Sequence, residues 1–148
     1  MRLTALTDYS LRMLIFLAVQ PDGRATIHDV ARAYDVSENH LMKVAHLLGQ
    51  AGMLRTSRGR GGGLGLARPA DEITVGEVVR RMEPDMELVP CFAEGRCAIL
   101  GACRLKQRLH AAQAAFLAVL DETTLAELAA PAPELRRLLG FAEGFAQP

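Results

Sequence analysis

The chain has three cysteines, and all of them lie in one short segment, CFAEGRCAILGAC (residues 91–103). Cys91, Cys97 and Cys103 are separated by equal intervals of six positions. Structural zinc sites favour cysteine pairs two to four residues apart, so this wider spacing fits zinc poorly. Thiolates also hold iron–sulfur clusters, and Gly95 and Gly101 would relax the backbone around a larger inorganic core. The segment therefore predicts an iron–sulfur site, and its fourth ligand must come from another part of the chain.

A second set of candidate residues lies in SENHLMK (residues 37–43). Ser37 is predicted to cap a helix whose first turns expose polar side chains, and a helix that enters the major groove meets base edges at those turns. We expect Asn39 and His40 to read bases. Lys43 and the backbone amides that follow Ser37 are expected to contact phosphate.

A glycine-rich hairpin is predicted directly after this helix, in MLRTSRGRGGGLGLARP (residues 53–69). Residues 53–57 and 64–67 are its strand candidates, and the glycines between them form the tip. A hairpin that follows a recognition helix is the wing of a winged helix. Arg58 and Arg60 lie on this wing and are expected to reach the DNA backbone or the minor groove.

The charge of the chain is unevenly distributed, although the formal net charge is zero. Residues 1–70 carry nine Lys and Arg against five Asp and Glu, whereas residues 71–148 carry eight against twelve. A basic first half suits a polyanionic partner. The apolar run at residues 11–19 is too short to span a bilayer and follows the acidic Asp8, so no membrane association is expected. With no export signal, we expect a cytoplasmic protein whose thiols stay reduced. No Ser, His and Asp combination has the setting of a nucleophile, so no enzymatic activity is expected.

The remaining elements are predicted to be mostly helical. Thr7 or Asp8 would cap a first helix that runs to about residue 20, and Thr26 with Asp29 fits a capping box before a helix over 27–34. Gly52 would end the recognition helix, and Thr74 with Glu77 would open a helix to about residue 82. The fold class is mostly α with a small β wing. The predicted parts are a winged helix-turn-helix DNA-binding domain (1–83), a cluster-binding loop (84–103), a dimerisation helix with a short following helix (104–130) and a loosely held C-terminal tail (131–148).

The long helix over residues 104–122 is predicted from a segment without Pro or Gly. Its apolar residues recur at steps of three and four, which places them on one stripe of a helix. The small N-terminal domain need not cover this stripe, so the helix predicts a homodimer. The stripe consists of Leu105, Leu109, Ala112, Phe116 and Leu120.

Four segments together resemble the winged-helix family of NsrR-like nitric-oxide-sensing repressors, which also contains the iron–sulfur regulator IscR. They are MRLTALTDYSLR, VSENHLMKV, RGRGGGLGLARP and CFAEGRCAILGACRLKQ, and the resemblance extends over roughly residues 1–128. The resemblance implies a homodimeric repressor that binds double-stranded operator DNA, holds an iron–sulfur cluster and responds to nitric oxide. A 4Fe–4S cluster is favoured, with a 2Fe–2S cluster as the alternative.

The resemblance also suggests the fourth ligand. The IscR-like pattern has a histidine three residues after the last cysteine, but this chain has Lys106 there, which cannot act as a ligand while protonated. In some NsrR-like proteins the corresponding aspartate, Asp8 here, is donated by the other subunit of the dimer. From the residues alone, Asp8 is equally well explained as a helix cap. His110 is the second candidate ligand, and His28 and His46 are interpreted as ordinary surface or packing residues.

Two other functions remain open at this point. One is an IscR-like regulator of iron–sulfur cluster homeostasis, which would share the three-cysteine spacing. The other is an iron–sulfur redox carrier, which would need neither a recognition helix nor a wing.

Overall fold

The computed structural model of the chain describes residues 2–57, 63–93, 95 and 97–141. Its helices are α1 (Ala5–Val19), α2 (Ile27–Tyr34), α3 (Glu38–Gln50), α4 (Val75–Met82), α5 (Arg104–Glu122), α6 (Leu125–Ala129) and α7 (Ala132–Leu138), and its strands are β1 (Leu54–Ser57) and β2 (Gly63–Leu66). Single turns of 3-10 helix lie at Ala70–Glu72, Pro90–Phe92 and Leu100–Ala102. The predicted fold class, mostly α with a small β wing, is confirmed.

Helices α2 and α3 form the predicted helix-turn-helix. Thr26 caps α2 with a complete capping box, in which its hydroxyl accepts from the Asp29 amide and the Asp29 carboxylate accepts from the Thr26 amide at 2.8 Å. Asp35 then adopts a left-handed conformation with φ of 52°, which turns the chain toward α3 within three residues. Gly52 ends the α3 region with φ of 70°, a conformation that glycine adopts without a steric penalty.

The wing is a two-stranded antiparallel sheet in which Leu54 pairs with Leu66 and Ser57 pairs with Gly63. It is attached to the start of α2 by a bridge between Ala25 and Leu64, whose backbone groups exchange hydrogen bonds at 3.0 and 2.7 Å. Gly63 makes this attachment possible, because a Cβ there would lie 2.7 Å from the Ala25 carbonyl oxygen. The wing is therefore held close to the helix-turn-helix.

The core of the protein lies between the first four helices, receives Leu54 and Leu64 from the wing, and is closed by one residue of α6. Leu14, Leu48, Ile73 and Leu125 are at most 2 % exposed. Each such aliphatic side chain contributes about 1.5–3 kcal/mol on burial. Helix α5 lies outside this core: all of it is described, and none of its residues is buried.

One predicted helix start and one predicted capping box differ from the structure. Helix α1 begins at Ala5 and is capped by Thr4, whose hydroxyl accepts from the Thr7 amide, so neither Thr7 nor Asp8 is the cap. The reason is a long-range contact that turns Thr7 inward. At α4, Thr74 is the cap as predicted, but Glu77 gives its carboxylate to Arg68 at 2.8 Å instead of closing the capping box.

The C-terminal tail is predicted to be loosely held over residues 131–148, of which 142–148 lie outside the described residues. Residues 132–141, in contrast, make specific contacts with α1. The Arg136 side chain donates to the carbonyl oxygen of Val19, the last residue of α1, at 2.6 Å. The rings of Phe141 and Phe16 lie 4.9 Å apart. These contacts give α7 a hydrogen bond and an aromatic anchor that its Ala- and Pro-rich sequence did not predict.

Candidate DNA interface and thiol segment

The first turns of α3 carry the predicted DNA-reading side chains. Ser37 occupies the N-cap position but its side chain makes no capping hydrogen bond. Asn39, His40 and Lys43 are all exposed on the same helix, while Leu41 and Val44 point into the core. The structure therefore brings the four candidate residues of α3 onto one accessible surface.

Helix α2 contacts this surface through His28, which was expected to be an ordinary surface residue. Its Nδ1 lies 2.8 Å from a carboxylate oxygen of Glu38, the first residue of α3. Both side chains are more than half exposed. An exposed pair of this kind contributes little to stability, but it places an imidazole beside the only acidic side chain in the first turn of α3.

Helix α1 contacts the same surface through Tyr9. The phenol ring of Tyr9 stacks on the imidazole of His40, with centroids 6.3 Å apart and planes inclined by 25°. Tyr9 directly follows Asp8, the candidate fourth ligand. Sequence reasoning missed this contact because it depends on how α1 crosses α3.

The wing contributes one described arginine, Arg55, which is exposed on β1. Arg58 and Arg60, the two predicted wing contacts, lie outside the described residues. Their contact with DNA stays a prediction.

Asp8 lies in the first turn of α1 and pairs with Arg12 one turn later. The two side chains share two contacts of 2.9 and 3.0 Å, and both are close to half exposed. The Arg12 guanidinium also lies over the Tyr34 ring, 5.7 Å from its centroid. Asp8 is thus held at the surface, where a second subunit could reach it.

The start of α1 is fastened by Glu83, the residue that ends α4. Its carboxylate accepts from the Thr4 amide at 2.8 Å, from the Thr4 hydroxyl at 3.1 Å and from the hydroxyl of the buried Thr7. Burial raises the pKa of Glu83, but the hydrogen bonds from Thr7 and Thr4 outweigh that effect and hold the pKa below its ordinary value of 4.5. Glu83 therefore joins the turn that carries Asp8 to the segment that leads to Cys91.

All three thiols are free. Cys91 lies in a single turn of 3-10 helix and is partly buried, Cys97 is exposed, and Cys103 is the N-cap of α5, where its Sγ accepts from the Lys106 amide at 3.4 Å. Gly95 has φ of 63°, a conformation that favours glycine, whereas Gly101 does not have a positive φ. Among the described residues, no three His, Cys, Asp or Glu side chains are close enough together to hold a metal ion.

His110, the second candidate ligand, stacks on Phe92. The two rings are almost parallel, at 4°, and their centroids are 3.9 Å apart. Phe92 follows Cys91 directly. The stack therefore holds the first cysteine of the segment against α5.

The apolar stripe of α5 divides between two faces. Leu109, Phe116 and Leu120 are partly covered by the rest of the chain, and the Gln113 side chain between them donates to the Met86 carbonyl oxygen. Leu105, predicted to belong to the same stripe, is 66 % exposed, and Val119 is 64 % exposed. Ala112 and Ala115 lie on the helix between these two residues and are also exposed. Residues 105, 112, 115 and 119 therefore form a mainly apolar face, interrupted by the exposed Arg108. No described residue of the chain covers this face, which is called the outer face of α5 below.

No helix within the described ranges is long and apolar enough to cross a membrane.

Comparison with known proteins identifies the family. Residues 3–131 match the model of the Rrf2 family, described as an iron-dependent transcriptional regulator. The HTH-type transcriptional regulator NsrR of Bacillus subtilis (strain 168) is 46 % identical over 146 residues, which is 97 % of this chain and 100 % of that protein. The protein of the same name from Shouchella clausii (strain KSM-K16) is 46 % identical over 144 residues, 95 % of this chain and 97 % of that protein.

Solved structures agree on the fold. The structure of T. potens IscR superimposes with a TM-score of 0.74 at 23 % identity and covers 98 % of this chain and 95 % of that chain. The relatives are transcriptional regulators, a non-enzymatic role, and this confirms that the chain is not an enzyme. The chain belongs to the Rrf2 family of transcriptional regulators.

Proposed function

We propose that this chain is a nitric-oxide-sensitive transcriptional repressor that binds operator DNA as a homodimer in the cytoplasm and senses through an iron–sulfur cluster. One observation carries the proposal: the three thiols of the chain are free and stand in a single segment that ends at α5, while the reading face of α3 is exposed. The resemblance to NsrR-like repressors, at 45–46 % identity to four relatives of that name, supports the sensing part of the proposal.

The DNA-binding part rests on the exposed residues of α3. Asn39 and His40 project from the first turns of α3 and are proposed to contact base edges, whereas Lys43 and the amides after Ser37 contact phosphate. Arg58 and Arg60 are proposed to add backbone contacts from the wing. A dimer would present two such helices to successive major grooves, about 34 Å apart.

The cluster part rests on the chemistry of the donor set. Cys91, Cys97 and Cys103 would hold the cluster, because thiolates are the ordinary ligands of iron–sulfur clusters. Asp8 of the partner subunit is proposed as the fourth ligand, and its position on the surface of α1 suits donation to a second chain. A bound cluster, 4Fe–4S or alternatively 2Fe–2S, would supply iron that reacts with nitric oxide.

The dimer part rests on the outer face of α5. Leu105 and Val119 are about two-thirds exposed, and the alanines between them would allow another helix to approach closely. Contact between two copies of α5 would bury these residues. It would also place the thiol segment (residues 91–103), which leads directly into α5, beside the second subunit.

Spectroscopy of anaerobically purified protein tests this proposal. We expect a coloured protein whose visible and resonance Raman spectra show iron–sulfur bonds and change on addition of nitric oxide. Substituting any one cysteine by Ala should give a folded but colourless protein, because the winged-helix core does not involve the thiol segment. Gln107→Ala is the matched control, because Gln107 is an exposed residue of α5 close to Cys103 in the sequence, and this variant should keep the colour. A colourless wild-type protein, or full iron and sulfide in a cysteine variant, would refute the assignment.

A further inference from the structure

Helix α5 is fastened to the DNA-binding domain at its C-terminal end. The Arg80 guanidinium on α4 binds the carboxylate of Asp121 on α5 with two N–H groups, one of them at 2.7 Å. The two residues are 41 positions apart in the chain. A two-bond arginine–carboxylate contact fixes orientation as well as distance.

Gly76 brings the two helices unusually close at the same place. It is buried, one turn before Arg80, and a Cβ at this position would lie 2.9 Å from the Asp121 backbone nitrogen. Any larger residue would push the end of α5 away from α4. Glycine is costly inside a helix, so its presence at this contact favours a requirement for close approach.

Two backbone hydrogen bonds also join the start of α4 to the segment that follows α5. The Val75 amide donates to the Thr123 carbonyl oxygen at 2.9 Å, and the Leu125 amide donates to the Ile73 carbonyl oxygen at 2.8 Å. Gly76, Arg80, Asp121 and these two backbone bonds are called the α4–α5 joint below.

The other end of α5 is held differently. Cys103 caps it, and the Phe92–His110 stack ties it to the thiol segment. The Gln113 side chain ties the middle of the helix to Met86, and no residue of the helix is buried. With a rise of 1.5 Å per residue, Cys103 and Asp121 are about 27 Å apart along the helix. Because a helix of this length is stiff, a displacement at Cys103 rotates the whole of α5. A tight joint passes this rotation to α4, whereas a loose joint does not.

We propose that Gly76, Arg80 and Asp121 are positioning residues that pass a change at the thiol segment to the DNA-binding domain. This inference rests on the proposed function, since it concerns how the cluster controls affinity for DNA. Helix α4 packs on α1, and α1 contacts α3 through the Tyr9–His40 stack. A closed joint therefore gives α5 a rigid route to the reading face, whereas a loose joint would let α5 tilt without moving α3.

The experiment compares the operator Kd of cluster-loaded and cluster-free protein for four chains: wild type, Arg80→Ala, Asp121→Asn and Arg81→Ala. The operator is a duplex selected from a random pool by the loaded wild-type protein. Arg81→Ala is the matched control, because it removes the same charge from an exposed position of the same helix and leaves the Arg80–Asp121 pair in place. Measurements are made well below the lowest Tm, and iron and sulfide are determined for each loaded sample.

We expect the wild type and Arg81→Ala to show at least a tenfold ratio of the two Kd values. Arg80→Ala and Asp121→Asn should reduce that ratio at least threefold with unchanged iron and sulfide. If both joint variants lower Tm but keep the wild-type ratio, the joint is merely structural and the inference is overturned. A wild type without cluster, or with equal Kd values in the two forms, overturns the proposed function and the inference with it.

Amide hydrogen exchange gives a second readout, independent of DNA binding. The joint must stay closed in both forms in order to transmit a rotation, so exchange at the Val75 and Leu125 amides should differ less than about threefold between loaded and cluster-free protein. More than tenfold acceleration on cluster loss would mean that the joint opens. It would then be a latch that releases α5, and the inference would be overturned.

Discussion

Tyr9 on α1 stacks on His40 on α3, with ring centroids 6.3 Å apart, so the residue next to the candidate ligand Asp8 contacts a candidate base-reading residue. The contact between these two rings therefore links the first turn of α1, where the proposed ligand Asp8 lies, to the proposed reading face of α3. It also restrains the imidazole, which is otherwise exposed to solvent.

Replacing Tyr9 by Ala should weaken discrimination between operators. Aromatic pairs contribute about 0.5–1.5 kcal/mol. The preference is the ratio of the Kd values for an operator altered at a base read by His40 and for the best operator. Loss of the stack should reduce this ratio by about two- to tenfold. Fluorescence anisotropy with the two duplexes measures this preference. Tyr9→Phe keeps the ring and is the control. Equal discrimination by the Ala and Phe variants would show that the stack does not position His40.

Asp8→Ala should leave a cluster bound by three thiolates, because a carboxylate is a harder ligand than a thiolate and binds this iron more weakly. The spectrum of this cluster should be altered, and the cluster should be lost faster in nitric oxide. Arg12→Ala is the matched control, because it removes the same surface ion pair and no ligand. Both variants should change stability by less than about 1 kcal/mol. Spectra of Asp8→Ala identical to those of Arg12→Ala would remove Asp8 from the ligand set.

Thr4→Ala, in contrast, should destabilise the chain by about 0.5–2 kcal/mol because Thr4 is the cap of α1. From the sequence, Asp8 could be either the cap of α1 or a cluster ligand. Denaturant unfolding of Thr4→Ala and Asp8→Ala, measured side by side, tests which residue is the cap. Equal destabilisation by the two substitutions would contradict the assignment of the cap.

Glu83 should make stability depend on pH in the acid range. Its pKa is lower in the folded chain than the ordinary 4.5 of an unfolded chain, so the unfolded state takes up a proton first as pH falls. The stabilisation is therefore complete above about pH 4.5 and is lost as pH falls through the lower, folded pKa. Hydrogen bonds to a charged group contribute about 1.5–3 kcal/mol. The free energy of unfolding of the wild type at pH 7 should therefore exceed that of Glu83→Gln by up to this amount. Urea unfolding at several pH values measures the difference in the free energy of unfolding between wild type and Glu83→Gln. A difference that does not depend on pH would contradict this role of Glu83.

Arg58→Ala and Arg60→Ala should each lower affinity for all duplexes alike and reduce the slope of log K against log salt by about one. Asn39→Ala should instead change the preference among duplexes and leave the slope nearly unchanged. Titrations at four salt concentrations distinguish the two effects. An unchanged slope in both arginine variants would mean that the wing does not contact phosphate.

Local signals in the sequence predicted much of the fold. The capping box of Thr26 and Asp29 and the left-handed Gly52 both depend on neighbouring residues, and the structure has them where they were predicted. The bounds of α5 were also readable, because a long run without Pro or Gly follows Cys103. The fold class followed from these elements.

Long-range contacts account for what the sequence did not predict. The local sequence is compatible with Thr7 as the cap of α1. In the structure the Thr7 hydroxyl instead donates a hydrogen bond to Glu83, 76 positions away. Gln113 lies on the covered side of α5 because its side chain donates to Met86, and hydropathy alone would place a glutamine outside. The Tyr9–His40 stack likewise depends on the crossing of two helices. The thiols could be proposed as ligands from their spacing. The proposed fourth ligand would come from a second subunit, and such a contact leaves no local signal in the sequence.

Operator binding before and after nitric oxide tests the central claim most directly. Anaerobic, cluster-loaded protein is titrated with a selected operator duplex at fixed salt, and the titration is repeated after stepwise addition of nitric oxide, with Cys97→Ala as the cluster-free reference. We predict that Kd rises at least tenfold with nitric oxide and approaches the value of Cys97→Ala. Tight binding that nitric oxide leaves unchanged, or equally tight binding by Cys97→Ala, would contradict the claim that this chain represses through a nitric-oxide-sensitive cluster.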